Sequence, residues 1–128
     1  MGRYYHGDID GKFWFGIQSS TDAEFFGVEG YRPDELNYHF SKEDLKKVAH
    51  KLKICEKELG KDLGRLTKFF KEHNMYNEDQ LIKHWIDEYD DYSFDVKDKL
   101  EWYARHILGV KIRKCIEDFG SCSFTAEL

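Results

Sequence analysis

The sequence predicts an α+β domain: a small, mostly antiparallel sheet packed with about four helices. Two patterns carry this reading. Apolar residues alternate with a period of two before residue 41 and after residue 120, and they follow a helical period between those points. Strands followed by a run of helices, with no internal repeat or linker, belong to α+β rather than to an alternating α/β chain.

The first element is a β-hairpin over residues 3–18, turned at Asp10-Gly11. Asp-Gly between two aromatic-rich runs is a strong type I′ signal. A two-residue turn opposes Ile9 to Lys12, Gly7 to Trp14 and Tyr5 to Gly16. Phe13, Phe15, Ile17, Tyr4, His6 and Asp8 then share an inner face, and Tyr5, Trp14, Lys12 and Ile9 an outer one. Thr21 and Glu24 are spaced as a capping box for a short helical turn that Gly27 ends. Residues 27–34 read as loop, with Arg32-Pro33-Asp34 as its turn signal. Residues 35–40 alternate as a third strand, with Leu36, Tyr38 and Phe40 on one side and Asn37 and His39 on the other.

From Ser41 the period lengthens. Leu45, Val48, Ala49, Leu52, Cys55 and Leu59 form one helical stripe that stops at Gly60. A second helix fits 62–73, and a third starts at Asn77 with Gln80 completing its box. The fourth runs from about Phe94 to Asp118, with Leu100, Tyr103, Ile107, Leu108, Ile112, Cys115, Ile116 and Phe119 inward. Gly109 inside it marks a kink or break. Residues 121–128 form a last strand, with Cys122, Phe124 and Ala126 set against Ser123, Thr125 and Glu127.

Composition bounds the function. A chain of 128 residues with one proline is expected to be a single domain over 1–128. Aromatics at 16% supply large core side chains, which argues against disorder despite 35% charged residues. A net charge of −5 disfavours duplex nucleic acid as a partner, because such binding rests on neutralising phosphates. No run approaches the ~18 apolar residues of a membrane span. The opening Met1-Gly2-Arg3-Tyr4-Tyr5-His6 has no apolar signal segment and no myristoylation pattern. Cys55, Cys115 and Cys122 are odd in number and lack a Cys-x-x-Cys pair. They read as free thiols of a cytoplasmic protein without a zinc site. No cofactor or metal is expected.

Several constellations are candidates for chemistry. On the outer hairpin face, Tyr5 and Trp14 would each lie over a facing glycine and form a stacking platform. Arg3, Gln18, Asn37 and His39 would border it if the third strand joins the sheet, making these six the candidate ligand-binding residues. His6 and Asp8 point to one side of a strand, where a histidine beside a carboxylate can serve as a general base; His39 is a third weak catalytic candidate. Asp8-Ile9-Asp10-Gly11 starts like a calcium loop but lacks the remaining ligands. The lysine-rich stretch Lys42–Lys71 reads as a solvated face. The acidic, aromatic stretch Asp87–Asp98 reads as a polar loop and helix start, and the two stretches could satisfy each other within or between subunits. Ser19-Ser20-Thr21 has no Gly-x-Ser-x-Gly context.

The expectation is a small intracellular binding or regulatory protein acting through macromolecular contact, with a homo-oligomer compatible with its charge pattern. The alternatives are a nucleotide or small-ligand binder using the aromatic sheet face, and a small enzyme using His6 and Asp8.

Overall fold

The computed structural model describes residues 2–31, 35–73 and 76–128. The turn expected at Arg32-Pro33-Asp34 lies outside them. The elements are β1 (Tyr4–Gly7), β2 (Gly11–Lys12), a 3-10 turn (Asp22–Phe26) and β3 (Leu36–Ser41). They continue with α1 (Leu45–Leu59), α2 (Asp62–Glu72), α3 (Glu78–Tyr89), α4 (Val96–Phe119) and β4 (Ser121–Ala126). The sheet is antiparallel with strand order β2-β1-β4-β3. This is the expected α+β class, and the last strand returns to the sheet as its centre rather than its edge.

Local chemistry sets the helix ends. Ser41 N–H donates to Asp44 Oδ2 at 2.8 Å, closing the box that leads into α1. Asn77 Oδ1 accepts Gln80 N–H at 2.8 Å, and Asp95 Oδ1 accepts Asp98 N–H at 3.2 Å. Gly120 ends α4 in the left-handed region at φ +82°, which turns the chain straight into β4.

Two hydrophobic clusters form, and α4 runs through both. The first joins the inner sheet face (Tyr5, Leu36, Tyr38, Phe40, Cys122, Phe124) to Val48 and Leu52 of α1 and to Leu108 and Ile112 of α4. The second joins Leu66 and Phe69 of α2, Leu81 and Trp85 of α3, and Leu100 and Tyr103 of α4. Phe119, expected inward, ends α4 at 79% exposure. α4 continues unbroken through Gly109, where an added Cβ would lie 2.3 Å from the Phe26 ring. That glycine therefore permits close packing and causes no break.

The hairpin differs most from expectation. Tyr4 pairs with Lys12 and Tyr5 with Gly11, a five-residue shift from the predicted register. An odd shift exchanges the faces. Tyr5, Ile9 and Phe13 point into the core, while Tyr4, His6 and Asp8 point out. The cause is tertiary: β1 pairs along β4, with Asp8 N–H donating to the Ser123 carbonyl at 2.8 Å, and Asp8–Asp10 become a loop. Beyond Phe13 the chain leaves the sheet in a turn closed by Ile17 N–H to Trp14 O at 3.0 Å. Phe15 is left 76% exposed, and Trp14 is drawn edge-on against Phe70 and Tyr103.

A buried polar network ties this segment to α4. Gln18 Nε2 donates to Asp22 Oδ2 at 2.8 Å, and Arg105 Nε donates to Asp22 Oδ1 at 2.7 Å. Arg105 Nη2 also donates to Glu101 at 3.0 Å, and its guanidinium lies over the Phe25 and Trp102 rings. Burial raises the Asp22 carboxyl above its ordinary value even though Arg105 and Gln18 oppose that shift.

The oppositely charged stretches meet within the chain around one depression, lined by Lys61 and Arg65 of the first and by Asp90 and Asp91 of the second. Asp62 lies 3.6 Å from both Arg65 and Lys99 and accepts the Trp85 indole N–H at 2.9 Å. The aromatics of the acidic stretch turn inward: Phe94 stacks on Trp85 at 4.3 Å, and only Tyr92 among them is strongly exposed. No helix among the described residues is long and apolar enough to cross a membrane.

Candidate functional site

One face of the sheet is filled by the core; the other is open. Alternation along three strands decides what the open face carries. β3 turns Leu36, Tyr38 and Phe40 inward and Asn37 and His39 outward. β4 buries Cys122, Phe124 and Ala126 and turns Ser123, Thr125 and Glu127 outward. β1 buries Tyr5 and exposes Tyr4 and His6.

Register then assembles these side chains into rows. His6 faces Thr125, and Thr125 faces Asn37. Asn37 is paired in turn with Tyr31 at the sheet edge, through N–H to carbonyl bonds of 2.8 and 2.9 Å. In the next row Asp8, Ser123 and His39 lie side by side: Ser123 N–H donates to Asp8 Oδ2 at 2.8 Å, and Ser123 faces His39. A hydrogen bond of 2.6 Å joins His39 Nδ1 and Ser123 Oγ. Thr125 Oγ1 donates to Asn37 Oδ1 at 2.8 Å. The rows line a shallow depression of about 510 Å³ whose wall, among the described residues, includes His6, Tyr31, Asn37, His39, Ser123 and Thr125 and no lysine or arginine.

Of the residues singled out from sequence, His6, Asn37 and His39 come together here, with Asp8 at the end of the face. The others lie elsewhere. Tyr5 packs against Phe13 and Phe124, and its hydroxyl accepts from Lys111 Nζ at 3.0 Å. Trp14 lies among Phe70, Tyr76 and Tyr103. Gln18 is buried against Asp22, and Arg3 donates to Ser20 Oγ and to the Gln18 carbonyl. The expected Tyr5–Trp14 platform is therefore not formed, because the shifted register buries Tyr5 and the turn after Phe13 carries a half-buried Trp14 away to the helices. Tyr31, Ser123 and Thr125 are the residues that sequence reasoning missed. The alternation of the last strand does show which of its side chains share a face, but nothing local shows that β4 lies between β1 and β3.

The chemistry open to this face is hydrogen bonding. The His39–Ser123 contact resembles a base beside a nucleophile, but the carboxylate of the row sits on the Ser123 amide rather than on the imidazole. The arrangement thus does not orient His39 as a general base. His6 and Asp8 share the face without forming a pair, since the Asp8 carboxylate serves the Ser123 N–H. Among the described residues no three His, Cys, Asp or Glu side chains are placed to share a metal ion. Comparison with protein-family models, with curated proteins and with solved structures finds no match for this chain.

Proposed function

We propose that this chain is a small binding protein that works by macromolecular contact, and that the open face of its sheet is the contact surface. The carrying observation is the asymmetry of the sheet. One face packs against helices, whereas the other presents His6, Asn37, His39, Ser123 and Thr125, with Tyr31 72% and Tyr4 49% exposed at its margins. Such a surface offers donors and acceptors in a fixed grid, and tyrosines at its rim supply rigid contact area.

Charge selects the partner. Among the described residues, Asp8, Glu35 and Glu127 border the face, and Lys12 lies at the β2 edge over Tyr4. A phosphate backbone would meet these carboxylates there. The fitting partner is a protein that brings basic and hydrogen-bonding side chains. The free thiols of the core fit a cytoplasmic setting.

The test is site-directed photocrosslinking in the cells that make the protein. A benzophenone amino acid at position 31 or 39 should yield one discrete adduct, and the same residue at position 53, on the solvent side of α1, should not. Asn37→Ala with Ser123→Ala should remove the adduct while the circular dichroism spectrum stays native. Equal adducts from all three positions, or none from 31 and 39, would refute the assignment.

A further inference from the structure

The corner between α4 and β4 holds two neighbouring thiols. Cys115 lies near the end of α4 and Cys122 is the second residue of β4. The two thiols neighbour each other across this corner, and Cys115 Sγ donates to the carbonyl of Ser121, the residue before Cys122, at 3.3 Å. The two differ in access. Cys122 is fully buried. Cys115 is 5% exposed and forms part of the wall of a depression of about 350 Å³, with Ile9, Asp10, Lys111 and Phe119. Lys111, one helical turn before Cys115, gives its hydrogen bonds to neutral oxygens, the Tyr5 hydroxyl and the Asp10 carbonyl. The third cysteine, Cys55, is fully buried on α1.

We propose that Cys115 and Cys122 form a redox-active dithiol, in which Cys115 is attacked first, Cys122 resolves, and a hydroperoxide is the oxidant. Cys115 gives up its proton, and its sulfur attacks the outer oxygen of the hydroperoxide. The O–O bond breaks, Cys115 becomes a sulfenic acid, and the departing alkoxide takes up the proton as an alcohol. The Cys122 sulfur then attacks the Cys115 sulfur. The S–S bond forms, the S–O bond breaks, and the hydroxyl leaves as water with the Cys122 proton. Two thiols are oxidised and one hydroperoxide is reduced. The order of events follows from access, because the oxidant reaches Cys115 through the depression and Cys122 lies behind it.

The test uses the full chain in native buffer with hydrogen peroxide, followed by unfolding, alkylation and mass spectrometry. Both cysteines fall on the tryptic fragment 115–128, since no lysine or arginine follows Lys114. That fragment should lose two hydrogens, and alkylated cysteines should fall from three to one, with Cys55 still labelled and dithiothreitol restoring all three. Cys122→Ala should instead leave a sulfenic acid at Cys115 that dimedone traps. Retention of all three alkylations would overturn the proposal, as would loss falling equally on Cys55 or a bridge that forms only in urea. Circular dichroism checks that Cys122→Ala folds; if it does not, the wild-type fragment mass decides alone.

Discussion

Burial holds the His106 imidazole below its ordinary value of 6.5, with Arg113 acting in the same direction and Glu56 against it. The sign of the consequence follows from linkage. The unfolded chain takes up the proton near 6.5, and the folded chain only at lower pH. This residue's contribution is therefore fully present above 6.5 and is lost as pH falls through the depressed folded value. Urea unfolding at pH 7.5 and pH 5.5 should show a fall in stability that is smaller in His106→Gln; an equal fall in both proteins would show that His106 is not its source. Nothing in the sequence marks His106, because its environment comes from Thr67 and neighbouring α4 residues around one groove. Gly109 teaches the same lesson in reverse. A glycine in a helix is visible in sequence, but whether it bends the helix or admits the Phe26 ring depends on a residue 83 positions away.

At the scale of elements, what was legible is what local chemistry decides. The box at Ser41, the cap at Asn77 and the stop at Gly120 lie within a few residues of the groups they satisfy, whereas Thr21, also spaced for a box, makes no side-chain cap bond. The hairpin shows the limit. Asp10-Gly11 reads as a type I′ turn, which needs positive φ at both central positions. Gly11 is not among the positive-φ glycines; it is the second-strand residue facing Tyr5, and an added Cβ would lie 2.3 Å from the Tyr5 hydroxyl. The glycine thus makes room for a core ring. Gly11→Ala should destabilise by about 1–3 kcal/mol through overpacking. In a Tyr5→Leu background the cost should shrink, because both crowded atoms, the hydroxyl oxygen and the Cζ at 2.5 Å, are gone. A double-mutant cycle by chemical denaturation measures the coupling. A cost independent of Tyr5 would return the explanation to turn geometry.

Long-range pairing governs the whole molecule. The candidate site joins residues 6–8, 37–39 and 123–125, and its two halves meet only because β4 enters between β1 and β3. The polar sides of the strands were legible one at a time; their adjacency was not, since it depends on partners more than 100 residues apart. The same non-local logic bears on stability. α4, about 36 Å long at 1.5 Å per residue, places Val96, Leu100 and Tyr103 in the helical cluster and Leu108, Ile112 and Ile116 in the sheet cluster. Trp102 packs against both. A rigid helix shared by two cores should make them unfold together. Leu100→Ala and Leu108→Ala, each emptying a fully buried site, should each cost about 2–5 kcal/mol. Either substitution should lower hydrogen-exchange protection in α3 and in β4 by the same amount, because both report one global opening. If Leu100→Ala loosened α2 and α3 while β4 kept its wild-type protection, the helical cluster would be a separate folding unit, and the open sheet face would stand on the sheet cluster alone.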